Sequence, residues 1–399
     1  MRKLILVLVT VLVTRPFLVL ADGEFTGNAA LEQRYFLQDA LYPEQRREDL
    51  SAFFEAEYYV DWNEGDDSLL FKGFYRVDQQ DNERSHGDVR ELFWLHVGDN
   101  WELKTGLGKV FWGQTESLHL VDVINQTDTI EAIDGEDKLG QPMVSFALIT
   151  DWGTATLFAL PYFRERTFAG DNGRFRPAIV VDTDNPLYES TDEEKNLDWA
   201  ARWQHSIGDW EVGLSYFDGT SRDPDFVLNI DEQLQPSLRP FYRQMTQLGV
   251  DALVVVDAWL VKFEGIQREV GNDEAFFALV GGFEYTSVGV LDSVYDIGWL
   301  MEYQYDERNE SASTLAQNDL MFGTRLALND TDGTEILIGY VQDLDYSSVR
   351  SGFVEASSRI NDNWKWRFDA WLFSSDVSTE PTYIVRRDDY VQLSLEYYF

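Results

Sequence analysis

Cysteine is absent from the 399-residue chain, and only four histidines occur. Without cysteine, the fold can contain neither disulfide bonds nor thiolate metal sites. Beyond the amino-terminal stretch Leu4–Val13, no apolar run approaches the roughly 18 residues that a transmembrane helix requires. The sequence therefore excludes a disulfide-stapled secreted domain and a helical membrane protein.

Positive charge is also scarce. The chain has 32 lysines and arginines against 71 acidic residues, a formal net charge of −39. Such a surface repels nucleic acid, so we expect no nucleic-acid partner. The charge suits a solvated acidic surface in a saline habitat or, alternatively, an external vestibule that gathers cations.

Residues 1–21 predict a signal peptide. Arg2 and Lys3 supply the positive start, Leu4–Val13 supplies the apolar stretch, and Val19-Leu20-Ala21 supplies compact residues for a cleavage site. Loss of this segment removes three positive charges and makes the net charge −42. We expect cleavage after Ala21, with an uncleaved anchor as the alternative, and we expect residues 22–399 to form a single exported domain.

Apolar and polar residues alternate along most of the remaining chain, which predicts strands with two different faces. Eighteen strands are predicted, with sixteen as an alternative: Phe25–Leu37, Ser51–Asn63, Ser68–Asp78, Asp88–Val97, Trp101–Lys109, Met143–Thr150, Thr154–Pro161, Asn196–Ile207, Trp210–Gly219, Gln244–Val254, Ala258–Glu269, Ala275–Ser287, Val294–Tyr305, Asn318–Leu328, Thr334–Asp343, Ser347–Ile360, Trp364–Ser374 and Asp389–Phe399. The predicted fold class is all-β, a closed antiparallel transmembrane β-barrel.

The connections between these strands alternate in length. Every second one is short and mostly rich in Asn, Asp and Gly, whereas the others include the long segments Val110–Pro142, Tyr162–Lys195, Thr220–Arg243 and Ser375–Asp388. This alternation is typical of a barrel with short periplasmic turns and long external loops. Six tryptophans beside the short turns predict an aromatic girdle at the membrane interface: Trp62, Trp101, Trp152, Trp210, Trp259 and Trp364.

Charged residues occupy the strand face opposite the apolar one. A lysine or arginine facing lipid costs about 2–4 kcal/mol at the membrane midplane, so these charges should face the lumen. The predicted lumenal charges are Lys72, Arg76, Arg90, Glu102, Lys104, Arg202, Lys262, Glu264, Arg325 and Arg367. They predict a hydrated interior, unless the charges pair across it and stabilise a closed barrel.

The third external connection, 110–142, is a candidate constriction loop. Its acidic residues are Glu116, Asp122, Asp128, Glu131, Asp134, Glu136 and Asp137, against Lys138 alone. Folded inward to face Lys72, Arg76, Arg90 and Arg202, they would create a transverse field that selects solutes. A purely external acidic loop is the alternative.

The next external loop carries Arg164, Arg166, Arg174 and Arg176. This cluster could receive an anionic ligand, or it could pair with neighbouring acidic loops or lipopolysaccharide phosphates.

Few residues suggest catalysis. Ser117, His119 and Asp122 bring nucleophile, base and orienting types into one loop, but a triad is defined by geometry and not by closeness in sequence. No HExxH, GxSxG, GxGxxG or Walker-type motif occurs. The sequence predicts no catalytic residue, metal site or cofactor.

The segment Asp389–Phe399 alternates strictly and ends on an aromatic residue. It resembles the closing strand of outer-membrane porins, and the signal peptide and loop pattern extend the resemblance over residues 22–399. The resemblance implies a Gram-negative outer-membrane location, passive uptake of small hydrophilic solutes and a homotrimer. It also implies recognition of Phe399 by the barrel-assembly machinery and contact with membrane lipid and lipopolysaccharide. An outer-membrane hydrolase of the lipase type, a closed structural or adhesion barrel and a soluble β-rich exported protein stay open as alternatives.

Overall fold

The computed structural model describes residues 23–312 and 317–399. The predicted signal peptide, residues 1–21, lies outside the described residues, and its cleavage stays a prediction. No described helix is long and apolar enough to cross a membrane.

Strands are the main regular structure of the described chain. They are β1 (Glu24–Phe36), β2 (Glu48–Trp62), β3 (Asp67–Asp78), β4 (Gly87–Val97), β5 (Trp101–Gly108), β6 (Gln141–Thr150), β7 (Gly153–Leu160), β8 (Leu187–Tyr188), β9 (Asp198–Ile207), β10 (Trp210–Thr220), β11 (Asp225–Ile230), β12 (Pro236–Tyr242), β13 (Gln244–Val256), β14 (Trp259–Val270), β15 (Phe276–Ser287), β16 (Asp296–Asp306), β17 (Asn318–Ala327), β18 (Glu335–Asp343), β19 (Arg350–Arg359), β20 (Trp364–Ser374) and β21 (Tyr390–Tyr398). Eighteen of them form one sheet, and β8, β11 and β12 form a second, small sheet.

The large sheet closes on itself because β1 pairs with both β2 and β21. Glu32 lies opposite Ser51 on one side and opposite Ser394 on the other, and both pairings are antiparallel. The remaining barrel strands pair with their neighbours in chain order, β9 following β7 and β13 following β10. Closure removes the free edges of the sheet. The predicted antiparallel barrel of eighteen strands is confirmed.

The outer surface of the barrel is apolar. Successive side chains on a strand point to opposite faces, and large apolar side chains are exposed on the outer face. Examples are Phe54, which is 45 % exposed, Leu157 at 61 % and Leu393 at 57 %. A continuous apolar band of this kind suits lipid and not water, so the barrel has the surface of a membrane-spanning protein.

The short turns use residues that tolerate a left-handed backbone. Gly208 has φ +62° and Asp257 has φ +53°, as tight hairpins require. Five of the six predicted girdle tryptophans are exposed beside such turns: Trp62, Trp152, Trp210, Trp259 and Trp364. Trp101 is half-buried, with its ring centroid 5.9 Å from that of Phe146. The girdle itself stays a prediction.

Phe399 belongs to the seam where the barrel closes. Its backbone N–H donates to Gly27, and its carbonyl accepts from the Gly27 N–H, both at 3.1 Å. Its ring centroid lies 6.0 Å from those of Phe25 and Phe54. A Cβ at Gly27 would approach the Phe399 ring to 2.7 Å, so glycine makes room for it. Recognition of Phe399 by the assembly machinery stays a prediction.

The small external sheet was not predicted from the sequence. Strands β11 and β12 form a hairpin inside the predicted connection Thr220–Arg243, and β12 also pairs with β8 in parallel. A signal was available, because Phe226-Val227-Leu228 consists of strand-favouring residues. The pattern of alternating connection lengths places this segment outside the wall, and it does not reveal structure within a loop.

Candidate functional site

The connection between β5 and β6 crosses the interior of the barrel. We call residues 109–140 the lumen loop. Glu116 Oε1 lies 2.6 Å from Nη2 of Arg325 on β17, and the Gln114 N–H donates to Glu264 on β14 at 2.7 Å. Because β17 lies halfway around the barrel from β5, the loop reaches the opposite wall. A purely external acidic loop does not fit these contacts.

The side of the lumen loop that faces the barrel wall is apolar and packs against apolar residues of the inner wall. From the loop come Trp112, Leu120, Val121, Val123 and Ile124. From strands β6 to β15 come Met143, Phe158, Leu160, Ala200, Phe217, Met245, Ile266, Phe276, Ala278 and Val280. Val121 and Ile124 are fully buried. The loop therefore shares a dry core with one side of the barrel, and burial of apolar surface holds it there.

Buried ion pairs fasten the loop to the wall near its own origin. Asp128 lies 2.5 Å from Nη1 of Arg90, and Glu131 lies 2.7 Å from Nη2 of Arg76. His86 lies 3.7 Å from both of these carboxylates, within a cluster of three possible metal ligands. Since an arginine already occupies each carboxylate, the arrangement suits a salt-bridge network and not a metal cation.

The other acidic residues of the loop divide into two groups. Asp122 is buried, 3.3 Å from Nζ of Lys138, and Glu116 lies between Arg325 and Nζ of Lys262, the latter at 3.5 Å. In contrast, Asp134, Glu136 and Asp137 are exposed inside the barrel. The second group presents its carboxylates to water.

Most of the remaining predicted lumenal charges also have a partner. Lys72 lies 2.9 Å from Glu55, Arg202 makes two 2.9 Å hydrogen bonds to Asp251, and Lys104 sits 3.7 Å from the centre of the Phe93 ring. Glu102, half-buried, shares its strand face with Lys104. Arg367 is 3.9 Å from Glu396, with a side chain 54 % exposed. Arg76 and Arg90 form ion pairs directly with the acidic loop. The predicted arrangement, in which acidic loop residues and these two arginines face each other across an open gap, is therefore wrong.

Ser117, His119 and Asp122, the residues whose types could suggest catalysis, make contacts that hold the loop in its conformation. The Ser117 hydroxyl donates to Glu302, while His119 Nε2 lies 2.9 Å from Glu136. The Trp112 N–H donates to Asp122. Burial alone would lower the pKa of His119, but Glu136 and Glu264 raise it to about 10. The imidazole is therefore protonated at neutral pH, which does not suit a general base.

The arginines of the next external loop are paired with acidic residues or with backbone carbonyls. Arg164 lies 2.8 Å from Asp88, and Arg166 lies 2.7 Å from Asp223. Arg174 and Asp388 form a pair at 2.6 Å in which both side chains are buried. Arg176 donates to backbone carbonyls. These contacts are those of the pairing alternative, and they bind the external loops to one another.

The carboxyl group of Asp137 has a raised pKa. The surrounding protein, with Glu131 and Asp134, raises the pKa of its carboxyl to about 6. Its charge is therefore present above pH 6 and is lost as the pH falls through that value. We expect the carboxylate absorption of the protein to fall between pH 8 and pH 5, measured by infrared difference spectroscopy. Asp137→Asn should remove the part of this change centred near pH 6, and an unchanged titration would contradict the assignment.

Sequence reasoning missed the apolar contact between loop and wall. The run Leu120-Val121-Asp122-Val123-Ile124 is a visible signal, because a loop in water rarely carries four large apolar residues in five positions. On the wall, Thr156-Leu157-Phe158-Ala159-Leu160 is apolar on both faces, which indicates a strand buried on both sides. The lumenal face of this half of the barrel is therefore covered.

Comparison with known proteins agrees with this architecture. No protein-family model matches the chain, and no curated protein matches it. Among solved structures, a BenF-like porin from Pseudomonas fluorescens Pf-5 is similar at TM-score 0.56 and 9% identity, over 95% of this chain and 98% of that one. Acinetobacter baumannii OccAB3 gives 0.55 and 10%, over 94% and 99%. Pseudomonas aeruginosa OpdQ gives 0.52 and 13%, over 95% and 99%. The chain has the fold of Gram-negative outer-membrane porins.

Proposed function

We propose that the protein is an outer-membrane channel through which small hydrophilic solutes diffuse passively. One observation carries this proposal: the lumen loop covers the wall from β6 to β15 and leaves charged side chains of β17–β21 facing the interior. Arg325 and Arg367 have side chains 33% and 54% exposed, and Glu355 and Asp369 are half-buried. Charged, partly exposed side chains on an inner wall indicate a water-filled path.

This path is bordered mainly by carboxylates. Glu355 and Asp369 are directly opposite each other on β19 and β20, and Asp134 of the loop lies close to both. Among the described residues, Asp134, Asp137, Glu355 and Asp369 form no ion pair with lysine or arginine. Arg367 lies near three of them, whereas Arg90 and Lys109 lie near Asp137. Like charges directly opposite on a sheet are unfavourable unless water and counter-ions reach them. We therefore expect the path to favour cations, with the loop and these lumenal charges setting selectivity.

Conductance in a planar bilayer tests the proposal. The refolded mature protein should give discrete conductance steps and, in a potassium chloride gradient, a reversal potential of the sign for cation preference. Asp134→Asn with Asp137→Asn should move that potential toward zero, because two lumenal charges are lost. Glu232→Gln with Glu274→Gln removes the same charge from exposed external loops and should change it little.

Folded protein that is heat-modifiable on gels and yet never conducts would overturn the channel proposal. Such a result would favour a closed structural or adhesion barrel, in which the ion pairs of the lumen serve stability alone. Steps with an anion-preferring reversal potential would keep the channel and remove the role assigned to the four carboxylates.

We also propose the partners that such a channel requires. The apolar outer band would contact membrane lipid, and the external arginines not buried in loop contacts would meet lipopolysaccharide phosphates. Phe399, at the seam, would be recognised by the assembly machinery. A homotrimer is proposed as well, and the molar mass of the detergent-solubilised protein tests it.

A further inference from the structure

Two glutamates on the wall across the barrel from β5, here called the far wall, are buried without a lysine or arginine partner among the described residues. Glu264 on β14 is fully buried, and Glu302 on β16 is 2 % exposed. A buried carboxylate must be satisfied by hydrogen bonds or it is strongly unfavourable. The hydrogen-bond donors around these two glutamates therefore indicate their structural role.

Glu264 is satisfied by the lumen loop. Its Oε1 accepts hydrogen bonds from the N–H groups of Gln114 at 2.7 Å and Thr115 at 3.1 Å, and from the Thr115 hydroxyl at 2.7 Å. Its Oε2 accepts from the Val121 N–H at 3.2 Å. The protonated His119 adds a positive charge, with Nδ1 at 3.7 Å. Both oxygens of the carboxylate are thus used by one turn of the loop.

Glu302 binds the next residues of the same turn. Its Oε1 accepts from the Glu116 N–H at 2.8 Å, and its Oε2 accepts from the Ser117 N–H at 2.9 Å and from the Ser117 hydroxyl. Backbone N–H groups that converge on a carboxylate form a strong, charge-assisted anchor. The anchor also places the Glu116 side chain between Arg325 and Lys262.

The loop backbone is shaped for this close approach. A Cβ at Gly113 would lie 2.9 Å from His119 Nδ1 and 3.2 Å from Glu264 Oε1. Glycine at this position lets the chain pass over the wall carboxylate without displacing it. The sequence Gly113–Ser117 thus provides the room and the donors that the two wall glutamates need.

We infer that Glu264 and Glu302 are positioning residues that hold the lumen loop against the far wall and so set the width of the aqueous path. Without the loop, both carboxylates would face the lumen and be hydrated; with the loop, they are buried and bonded to its backbone. The part concerning path width rests on the proposed channel function, whereas the part concerning the position of the loop does not.

The absence of cysteine allows the position of the loop to be measured directly. Spin labels at Gln114→Cys and Asp151→Cys report the distance between the Gly113–Ser117 segment of the lumen loop and the turn that joins β6 to β7. The Gln114 side chain makes no described hydrogen bond, and Asp151 is exposed. We expect a single narrow distance in the parent protein and a broad distribution in Glu264→Gln with Glu302→Gln. Each glutamine amide replaces one accepting oxygen by an NH2 group, which cannot accept a hydrogen bond from the N–H groups of the loop. Single-channel conductance should rise about two-fold or more in the same variant.

Glu284→Gln with Glu335→Gln is the matched control, since it removes two lumenal carboxylates that do not bond to the loop. Its distance distribution should stay narrow. A narrow distribution in the Glu264 and Glu302 variant would overturn the inference, whatever the conductance. Broadening in that variant without conductance in any protein would support the positioning role and overturn the channel function.

Discussion

Replacing Val121 by aspartate is expected to release the lumen loop from the wall and to raise the single-channel conductance several-fold. Val121 is fully buried in the core shared by loop and barrel. Its backbone N–H already binds the Glu264 carboxylate, so the new charge would lie beside another of the same sign. An unpaired charge in such an apolar setting costs several kcal/mol, which exceeds what single loop contacts contribute.

The experiment has a charge-matched control in the same loop. Ala132→Asp adds the same charge at a half-buried position outside the core, and it should change selectivity without a comparable gain in conductance. Heat-modifiability on gels shows whether each barrel has closed. A folded Val121→Asp protein with the parent conductance would show that the apolar core does not hold the loop in place.

The barrel could be predicted from sequence because its rules are local. A strand that faces lipid on one side and the lumen on the other must alternate, and hairpins such as Gly208-Asp209 need residues with a left-handed backbone. The alternation of a strand and the turn residues that follow it both lie within about ten residues of the chain. Errors in strand ends were therefore small: β2 begins at Glu48 and not at Ser51, and β6 begins at Gln141 and not at Met143.

The interior could be predicted only in part, because its contacts join residues far apart in sequence. The acidic loop was recognised from composition, but composition does not show that Glu131 binds Arg76 or that Glu116 lies between Lys262 and Arg325. These pairs decide which charges are neutralised and which remain for solutes. The wall glutamates that bond to the loop backbone were missed as anchors because a backbone N–H leaves no mark in the sequence.

Arg84→Met is expected to lower the stability by about 3–5 kcal/mol, because it leaves buried carboxylates without a shared cation. Arg84 Nη1 lies 2.7 Å from Asp78 and 4.0 Å from Asp49, and Nη2 lies 3.3 Å from Glu32. Its Nε donates to the carbonyl of Ile130 in the lumen loop at 2.9 Å. One guanidinium therefore joins three strand carboxylates to the loop.

The measurement is the urea midpoint of tryptophan fluorescence for the protein in detergent, with Arg47→Met as the matched control. Arg47 pairs with Asp39 at 2.6 Å, but the two side chains are 42% and 84% exposed. Such a pair contributes little to stability because water competes for both charges. The same substitution should thus lower the midpoint strongly at residue 84 and barely at residue 47. Equal midpoints would mean that water reaches Glu32, Asp49 and Asp78 in solution, and the buried network would not be what fastens the loop to this wall.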